Sequence, residues 1–418
     1  MSVRTGAAVE ELSAVDLTNP RTFEERDLRP YWRTLRDEHP LFWHDPRGDN
    51  PGFWVVSRYA DMLTVFRDNK RFTSEQGNVL VTLLAGFDSA AGRMLAVTDG
   101  PRHKDLRNLL LKSFSPRALR RVEERVIQNT RRLVAQAVRR GEADFAVDVA
   151  ERIPINTIGD LLGVPPSDQD FLLRLNKQAL SSNDEGQSDE DAWLARNEIL
   201  LYFNDLVAER RAKPQEDVIS VLANSELNGE PLTEDDIVLN CYSLILGGDE
   251  TSRLSMIEAV RAFTQHPDQW GRLRNREVEL DTAVEEVLRW STPAMHFGRT
   301  ALADVELHDR TISAGEIVTL WMTSANRDDR VFDDPYTFDL GRVQNKQLAF
   351  GYGPHFCLGA FLGRLEIRAM LDTLRTFSSG FEINGEVRPI HSNFLSGLGS
   401  LPIRFTPDEA GLAAAADV

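Results

Sequence analysis

The sequence predicts a mainly α protein with small β regions, and three stretches carry this prediction. The longest helical pattern begins at Thr233, with Asp236 placed to complete a capping box. It runs to His266-Pro267, about 32 residues or roughly 48 Å at helical rise. Residues 120–143 form a second helical pattern with one charged face. Residues 41–56 place two short apolar runs around a turn-rich loop, which predicts a hairpin.

Composition sets limits on the domain organisation and on the partners. The chain has 418 residues and a net charge of −17, which argues against binding to nucleic acid. We expect a flexible tail at 1–25, one domain at 26–407 and a second flexible tail at 408–418. The first residues are polar, and neither a signal peptide nor a membrane anchor is expected. Only two cysteines are present, which suits a reducing cytoplasm and predicts no disulfide framework.

The remaining elements follow in chain order. Residues 28–38 predict a helix that ends before Pro40, and residues 61–68 predict another. Residues 79–87 are apolar and bounded by glycines, so they form either a loop roofing a pocket or a short core strand or helix. Residues 167–213 are helical with a polar break at 181–188, which is either a lid or a plain connecting loop.

A glycine-rich stretch at residues 350–359 contains the candidate reactive group, Cys357, just before an apolar helical run. A thiol at the start of a helix is a candidate ligand or nucleophile. A catalytic thiol needs a positioned base, and His355 is too close in sequence to serve, although a thiol hydrolase stays open as an alternative. One thiolate without a CxxC or HxxxH motif cannot form a zinc site, but it can be the axial ligand of a haem.

The same stretch resembles the haem-binding signature of the cytochrome P450 family, and every position of that signature is filled. The resemblance implies the cytochrome P450 fold, in which a long central helix crosses a buried haem b. It also implies that Cys357 is the iron ligand and that the neighbouring signature residues contact the haem; these are Phe350, Gly351, His355 and Gly359.

The middle of the long helix resembles the oxygen-activating groove of the same family. Thr251 would hydrogen-bond the dioxygen being activated, and Glu250 would relay protons from solvent. Gly247 and Gly248 leave a gap beside the hydroxyl, and Gly247 stands where the family usually has alanine. Leu244 shares this helical face.

The resemblance assigns two further groups. His103 and Arg107 lie one helical turn apart and, with Arg299 and His355, would bind the haem propionates. Glu286, Arg289 and Arg342 match the family's Glu-x-x-Arg and meander arginine, which are expected to support the haem-binding core.

A substrate pocket is expected from four segments. Its predicted residues are Val79, Leu83, Leu84, Phe87, Leu244, Met295, His296, Phe297, Phe394 and Leu395. His296 is either a polar anchor for substrate or a histidine satisfied by backbone.

Together these motifs predict a haem-thiolate monooxygenase that hydroxylates or epoxidises a small organic substrate. The variant groove resembles those of bacterial P450s of antibiotic and other secondary metabolism, some of which act on amino-acid or acyl groups held by a carrier protein. A non-catalytic homologue that recruits partners or senses a ligand is the alternative.

No flavin or iron–sulfur motif is present, so electrons are expected from NAD(P)H through a separate ferredoxin and ferredoxin reductase. The expected docking region lies near Arg107, Lys112, Arg364 and Arg368. The basic segment 102–121 is either part of this docking patch or a solvated helix face.

Overall fold

The computed structural model describes residues 10–113, 116–180 and 188–414. The predicted lid at 181–188 therefore lies outside the described residues, apart from Ser188. The helices are α1 Arg21–Glu25, α2 Arg29–Glu38, α3 Tyr59–Arg67, α4 Leu80–Leu84, α5 Gly100–Ser113, α6 Pro116–Arg140, α7 Arg152–Leu162, α8 Gln169–Ala179, α9 Asp189–Ala212, α10 Val218–Ala223, α11 Glu234–Gln265, α12 Pro267–Arg274, α13 Leu280–Ser291, α14 Met322–Ala325, α15 Ala360–Phe377 and α16 Glu409–Ala413.

The strands form small sheets at the periphery of the helices. They are β1 Leu41–His44, β2 Phe53–Val56, β3 Phe72–Thr73, β4 Glu142–Asp144, β5 Glu226–Leu227, β6 Glu230–Pro231, β7 His296–Ala301, β8 Val305–Leu307, β9 Arg310–Ile312, β10 Ile317–Trp321, β11 Ser378–Ile383, β12 Arg388–Pro389, β13 Leu398–Ser400 and β14 Pro402–Pro407. The largest sheet has the order β1-β2-β10-β7-β3, and the next has the order β11-β14-β4. The predicted hairpin is the β1–β2 pair, with Leu41 opposite Val56.

Helix α11 is the axis around which the other helices pack. It spans 32 residues, as the sequence predicts, and begins with the capping box in which Asp236 N donates to Thr233 Oγ1 at 3.2 Å. It ends at His266, where Pro267 cannot continue the ladder. Its second half, from Met256 to Phe263, is buried among α6, α13 and α15.

Both predicted tails are wrong where the structure describes them. Leu12, Val15 and Leu17 are buried in the core that also holds β1 and β2. His391 Nδ1 lies 2.6 Å from Glu24 Oε1, so the first segment is tied to the end of the chain. At the other end, Leu412 of α16 is buried. The domain therefore includes residues 10–25 and 408–414.

The apolar stretch at 79–87 contains a short core helix followed by an exposed loop, so both alternatives predicted from the sequence are present. Residues 80–84 form the short helix α4, in which Leu80 and Leu83 are buried. Leu83 packs against Gly298 of β7 so closely that a Cβ there would come within 2.2 Å of Leu83 Cδ1. Residues beyond Leu84 turn outward, and Phe87 is exposed. The segment thus has an anchored helix and a solvent-facing end.

Candidate active site

A large cavity lies between α11 and the loop before α15. It has a volume of about 1010 Å³, and the described residues that line it include Cys357 on one wall and Thr251 on the opposite wall. The loop wall, as we call it, consists of the signature residues 350–359. The helix wall is the face of α11 from Leu244 to Ser255, on which Leu244, Gly247, Gly248 and Thr251 all line the cavity.

Cys357 sits in a loop that its own backbone holds in place. Its N–H donates to the Phe350 carbonyl at 2.9 Å, which closes the loop between the two residues. Burial raises the pKa of the Cys357 thiol, whereas the Gly359 N–H and the charges of Arg107 and Arg364 lower it. These three groups favour the thiolate that a metal ligand requires.

The glycines of this loop have different physical roles. Gly351 and Gly353 have φ of +67° and +74°, which side chains rarely adopt. A Cβ on Gly353 would lie 2.5 Å from the Phe66 carbonyl oxygen, so this glycine is required by packing against protein. A Cβ on Gly351 would meet no protein atom within 4 Å and would enter the cavity. Gly353 therefore lets the loop pack against α3, whereas Gly351 leaves space on the cavity side.

Four cationic or imidazole side chains gather at one side of the cavity, as predicted: His103, Arg107, Arg299 and His355 all line it. Arg299 is buried and, among the described residues, donates only to the adjacent Gly298 carbonyl, at 2.6 Å. Burial lowers the pKa of Arg299 to about 10. His103 Nε2 is buried without a hydrogen-bond partner among the described residues. A buried guanidinium and an unpartnered imidazole nitrogen indicate a site for an anionic group.

Asp99 joins this cluster, although no sequence motif indicates its role beyond its place before α5. Its Oδ1 lies 2.8 Å from His355 Nε2, while Oδ2 accepts from Thr73 Oγ1 at 2.8 Å and from Ser74 N at 2.6 Å. These contacts lower the pKa of Asp99 to about 2. One carboxylate therefore joins β3, the start of α5 and the loop wall, and it fixes the orientation of the His355 ring.

The helix wall presents Thr251 beside a gap. Its Oγ1 donates to the Gly247 carbonyl at 3.2 Å, one turn earlier. A Cβ on Gly247 would meet nothing within 4 Å, whereas one on Gly248 would lie 3.1 Å from Ile158 Cγ1. Gly247 thus opens space on the cavity side, and Gly248 allows α7 to approach α11 closely. The helix continues through both glycines without a break.

Glu250, the predicted proton relay, lines the cavity but is also paired. Its Oε2 accepts from Arg253 Nη2 at 2.5 Å, and both side chains are buried. Glu250 Oε1 and Arg253 Nε have no partner among the described residues. Neighbouring Asp249 is buried too, with Oδ2 accepting from Asn176 Nδ2 at 3.2 Å, and burial beside Glu250 raises its pKa. Such unpartnered buried atoms indicate room for ordered water next to Glu250.

Glu366 of α15 is a buried acid to which the sequence assigned no role. It lines the cavity near Ser252 and Thr157, which hydrogen-bond it, and its Oε2 lacks a partner in the described structure. Burial raises the pKa of Glu366 to about 7. It therefore exchanges a proton near neutral pH. No sequence pattern separates Glu366 from the other acidic residues; its buried position beside the cavity does.

The predicted structural group is assembled as a buried ion-pair network. Arg289 Nε and Nη2 donate to the two carboxylate oxygens of Glu286, both at 2.7 Å, and Arg342 Nε donates to Glu286 Oε2 at 3.1 Å. Arg289 also donates to the carbonyls of Asn326, Pro335 and Thr337. The network links α13 to the long segment that leads into the loop wall.

The predicted substrate residues divide into two groups. Val79, Phe87, Leu244, Phe297, Phe394 and Leu395 line the cavity. Four others do not line it, and assigning them to the pocket is wrong for this structure: Leu83, Leu84, Met295 and His296.

The contacts of two of these residues explain their position. His296 Nε2 accepts from Leu80 N at 3.2 Å and its ring lies 4.4 Å from that of Trp321, whereas its Nδ1 is buried without a partner among the described residues. The backbone alternative therefore holds for one of the two ring nitrogens. Met295 N donates to the Phe394 carbonyl and its side chain is buried in the core.

The cavity fits a haem with a thiolate ligand. One wall offers a single sulfur, and the other offers a glycine gap and a hydroxyl. One side offers Arg107 and Arg299 beside His103, whose Nε2 has no partner among the described residues. Cys357 would hold the iron, and His103, Arg107 and Arg299 would bind the propionates. The fold and the site thus define a haem-thiolate protein.

Comparison with known proteins agrees with this class. The "Cytochrome P450" family model matches residues 257–406. Cytochrome P450 NovI of Streptomyces niveus is 46% identical over 406 residues, which covers 97% of this chain and 100% of that protein. Steroid C26-monooxygenase of Mycobacterium tuberculosis is 33% identical and covers 95% of this chain and 98% of its own. The chain belongs to the cytochrome P450 family, and it is a P450 monooxygenase.

A solved structure gives the same result. The crystal structure of P450 OxyD, involved in the biosynthesis of vancomycin-type antibiotics, superposes with a TM-score of 0.84 at 34% identity and covers 94% of this chain and 100% of that one. None of the helices that the structure describes is both long enough and apolar enough to span a membrane.

Proposed function

We propose that this P450 hydroxylates a small organic substrate in the biosynthesis of a bacterial secondary metabolite, and that the substrate is an amino-acid or acyl group held by a carrier protein. The observation that carries the pathway assignment is the 46% identity with NovI across nearly the whole of both chains. The similarity to OxyD, which is involved in antibiotic biosynthesis, supports the same assignment.

Haem, when bound, supplies the redox chemistry that activates dioxygen and inserts one oxygen atom into the substrate. The residues of the chain would hold the iron, shield the sulfur and supply protons. Cys357 holds the iron from the loop wall, and Phe350, whose backbone carbonyl accepts from Cys357 N, packs beside that loop. Arg364 lies 4.5 Å from the Phe350 ring and fixes it against the sulfur side.

Proton supply is assigned to the helix wall. Thr251 Oγ1 holds a proton that it now donates to Gly247, and it faces the cavity where dioxygen is consumed. Glu250 keeps one oxygen free, so it can accept a proton from water and pass it toward Thr251. Rotation of Glu250 away from Arg253 would complete this transfer.

Electrons are proposed to come from NAD(P)H through a ferredoxin and its reductase. Exposed Phe356 and Phe361 lie next to the ligand loop, and Lys112 is exposed on α5. Arg364 and Arg368 pair with Glu285 and Asp281 on the same face. A mixed apolar and basic surface near the sulfur suits an acidic electron carrier.

The test is a spin-state titration of the ferric holoenzyme with free amino acids and with the same groups loaded on a carrier protein. A shift from low to high spin with the loaded carrier, and product formation in the presence of ferredoxin and reductase, is the expected result. A shift with free acids alone would overturn the carrier proposal. Haem binding without product from any substrate would favour a non-catalytic homologue.

A further inference from the structure

A second buried acid lies beside Glu250 on α11, and the proposed reaction gives it no role. Asp249 is fully buried, and its Oδ2 accepts from Asn176 Nδ2 at 3.2 Å. That amide is its only hydrogen-bond partner among the described residues, and its Oδ1 is buried without one. The carboxyl group is therefore held by one neutral donor and keeps one oxygen free.

The charged groups near Asp249 are already paired with one another. Glu250 pairs with Arg253, and both side chains are buried. Glu151, just before α7, pairs with Lys177 of α8. Asp249 has no ion-pair partner in the part of the chain that the structure describes. An ionised Asp249 would thus be an unpaired buried charge, whereas one added proton makes the group neutral.

The unpartnered atoms of this group indicate where the proton lies. Asp249 Oδ1, Asn176 Oδ1 and Glu250 Oε1 are buried oxygens without a partner in the described structure. While both acids are ionised, all three oxygens are acceptors. A proton on Asp249 Oδ1 turns one of these acceptors into a donor. Burial and the adjacent charge of Glu250 raise the pKa of Asp249 well above its ordinary value, so the acid keeps this proton.

The helix places Glu250 between Asp249 and Thr251. Successive residues of an α-helix are about 100° apart around its axis. Asp249 faces α8, where Asn176 lies, and it is not among the described residues that line the cavity. Glu250 is about 100° further round and lines the cavity, and Thr251 follows on the helix wall. Asp249 can therefore supply the hydroxyl only through Glu250.

We infer that Asp249 carries a proton on Oδ1 and resupplies Glu250 through ordered water. It acts through Glu250 and is a positioning residue, and the inference rests on the proposed role of Glu250 in proton delivery. The proton leaves Asp249 Oδ1 and arrives on Glu250 Oε1. Asp249 is left as a carboxylate that Asn176 Nδ2 stabilises, until a proton from solvent restores the acid.

The outer end of this group reaches solvent on α8. Asn176 is followed directly by Lys177, whose side chain is 23% exposed and pairs with the buried Glu151. The charge of Glu151 also acts on Asp249 and contributes to its raised pKa. Two consecutive residues of α8 thus connect the buried acid to the surface from which its proton is replaced.

The first measurement is infrared spectroscopy of the ferric holoenzyme, which distinguishes a protonated carboxylic acid from a carboxylate. We expect a protonated-acid band near neutral pH that Asp249→Asn removes. Glu366→Gln identifies the band of the other buried acid beside the cavity. In Glu250→Gln the Asp249 band should titrate about one pH unit lower or more, because the adjacent charge that opposes ionisation is gone.

The second measurement follows turnover of phenylalanine loaded on a carrier protein, with ferredoxin, reductase and NAD(P)H. Asp249→Asn keeps a neutral side chain and an oxygen that accepts from Asn176, but it has no acidic proton. Product per NAD(P)H should fall about twofold to fivefold, less than in Thr251→Ala, because Glu250 can still take a proton from water. The solvent deuterium isotope effect on turnover should increase.

Glu258→Gln is the matched control. Glu258 is a buried acid of the same helix that pairs with Arg261, and it is not among the described residues that line the cavity. Its removal should change neither product per NAD(P)H nor the isotope effect. Thermal unfolding and the spectrum of the reduced carbon monoxide complex confirm that each variant is folded and holds haem.

The outcomes separate the inference from the proposed function. Absence of a protonated-acid band that depends on Asp249 would overturn the inference and leave Glu250 and Thr251 in their proposed roles. A band that Glu250→Gln does not shift, with turnover unchanged in Asp249→Asn, would also overturn it, because Asp249 would then only tie α8 to α11. Unchanged coupling in Thr251→Ala would overturn the proton path and the inference together. If the parent enzyme does not turn over this probe, the carrier proposal fails and the infrared result alone decides the inference.

Discussion

The two ends of the cavity are built in different ways. The loop wall around Cys357 is a short stretch of sequence held by buried networks, with Asp99 on one side and Glu286 on the other. The mouth is formed by α4, α9 and α11, which are far apart in the sequence, and its side chains are largely exposed. The wall thus specifies the chemistry that the whole family shares, and the mouth is where one member can differ from another.

The largest expected effect tests the loop wall directly. Cys357→Ala removes the sulfur that would hold the iron, so the red-shifted band of the reduced carbon monoxide complex should be lost completely. Cys241→Ala is the control, because Cys241 is buried in α11 away from the cavity lining and should leave the band unchanged. A band that survives in Cys357→Ala would place the iron ligand elsewhere.

The network behind the wall should dominate stability. Arg289→Met leaves the buried Glu286 carboxylate without its main partner, and we expect a loss of about 3–5 kcal/mol. Urea unfolding, followed by circular dichroism and by haem absorbance, measures it. Arg368→Met, which breaks the exposed pair with Asp281 at 3.2 Å, should cost at most about 1 kcal/mol. Equal losses in the two variants would show that the wall is not specially anchored.

The helix wall is tested by its hydroxyl. Thr251→Ala should keep the spectrum but divert oxygen to peroxide, with product per NAD(P)H falling about tenfold or more, because proton delivery is impaired. Ser255→Ala is the matched control, since its hydroxyl lines the same face but donates to the Thr251 carbonyl at 2.9 Å. Unchanged coupling in Thr251→Ala would remove Thr251 from the proton path.

The paired glycines give a smaller contrast on the same wall. Gly247→Ala should raise stability by up to about 1 kcal/mol, because alanine favours helix and its Cβ meets no protein atom. Gly248→Ala should lose this gain, since its Cβ would press on Ile158 at 3.1 Å. Thermal unfolding of both variants decides the point. A Gly247→Ala variant less stable than Gly248→Ala would contradict the assigned roles.

The smallest effect on stability is expected at the mouth. Phe87→Ser should change the free energy of unfolding by no more than about 0.5 kcal/mol, because the side chain is mostly exposed. It should still weaken binding of carrier-loaded substrate in the spin-state titration. Leu83→Ala, four residues earlier but buried, should cost about 2–5 kcal/mol. The difference would confirm that one segment contains both an anchor and a docking surface.

Local motifs explain why the wall could be predicted from the sequence. The signature around Cys357, the groove at Gly247–Thr251 and the Glu286–Arg289 pair are each formed by near neighbours in the chain. Their positions in the cavity, or in its support, follow the prediction. The length and capping of α11 were also predictable, because the cap residues and Pro267 are local signals.

Contacts distant in sequence explain what was missed. Asp99 reaches His355 across 256 positions of the sequence. His296 was assigned to the pocket because it is polar in an apolar strand, yet its Nε2 accepts from Leu80 N and its ring lies against that of Trp321. The start of the chain has a weak helical signal, and its burial depends on a core assembled from β1 and β2.

That first segment also affects the order in which the protein can be completed. Pro20 lines the cavity, and Asn393 Nδ2 donates to the Thr18 carbonyl at 2.8 Å across 375 positions of chain. At about 5–20 residues per second, the first segment leaves the ribosome roughly 20–75 s before its partner exists. The chamber therefore closes only after Asn393 has been synthesised, and until then its apolar lining stays open to solvent.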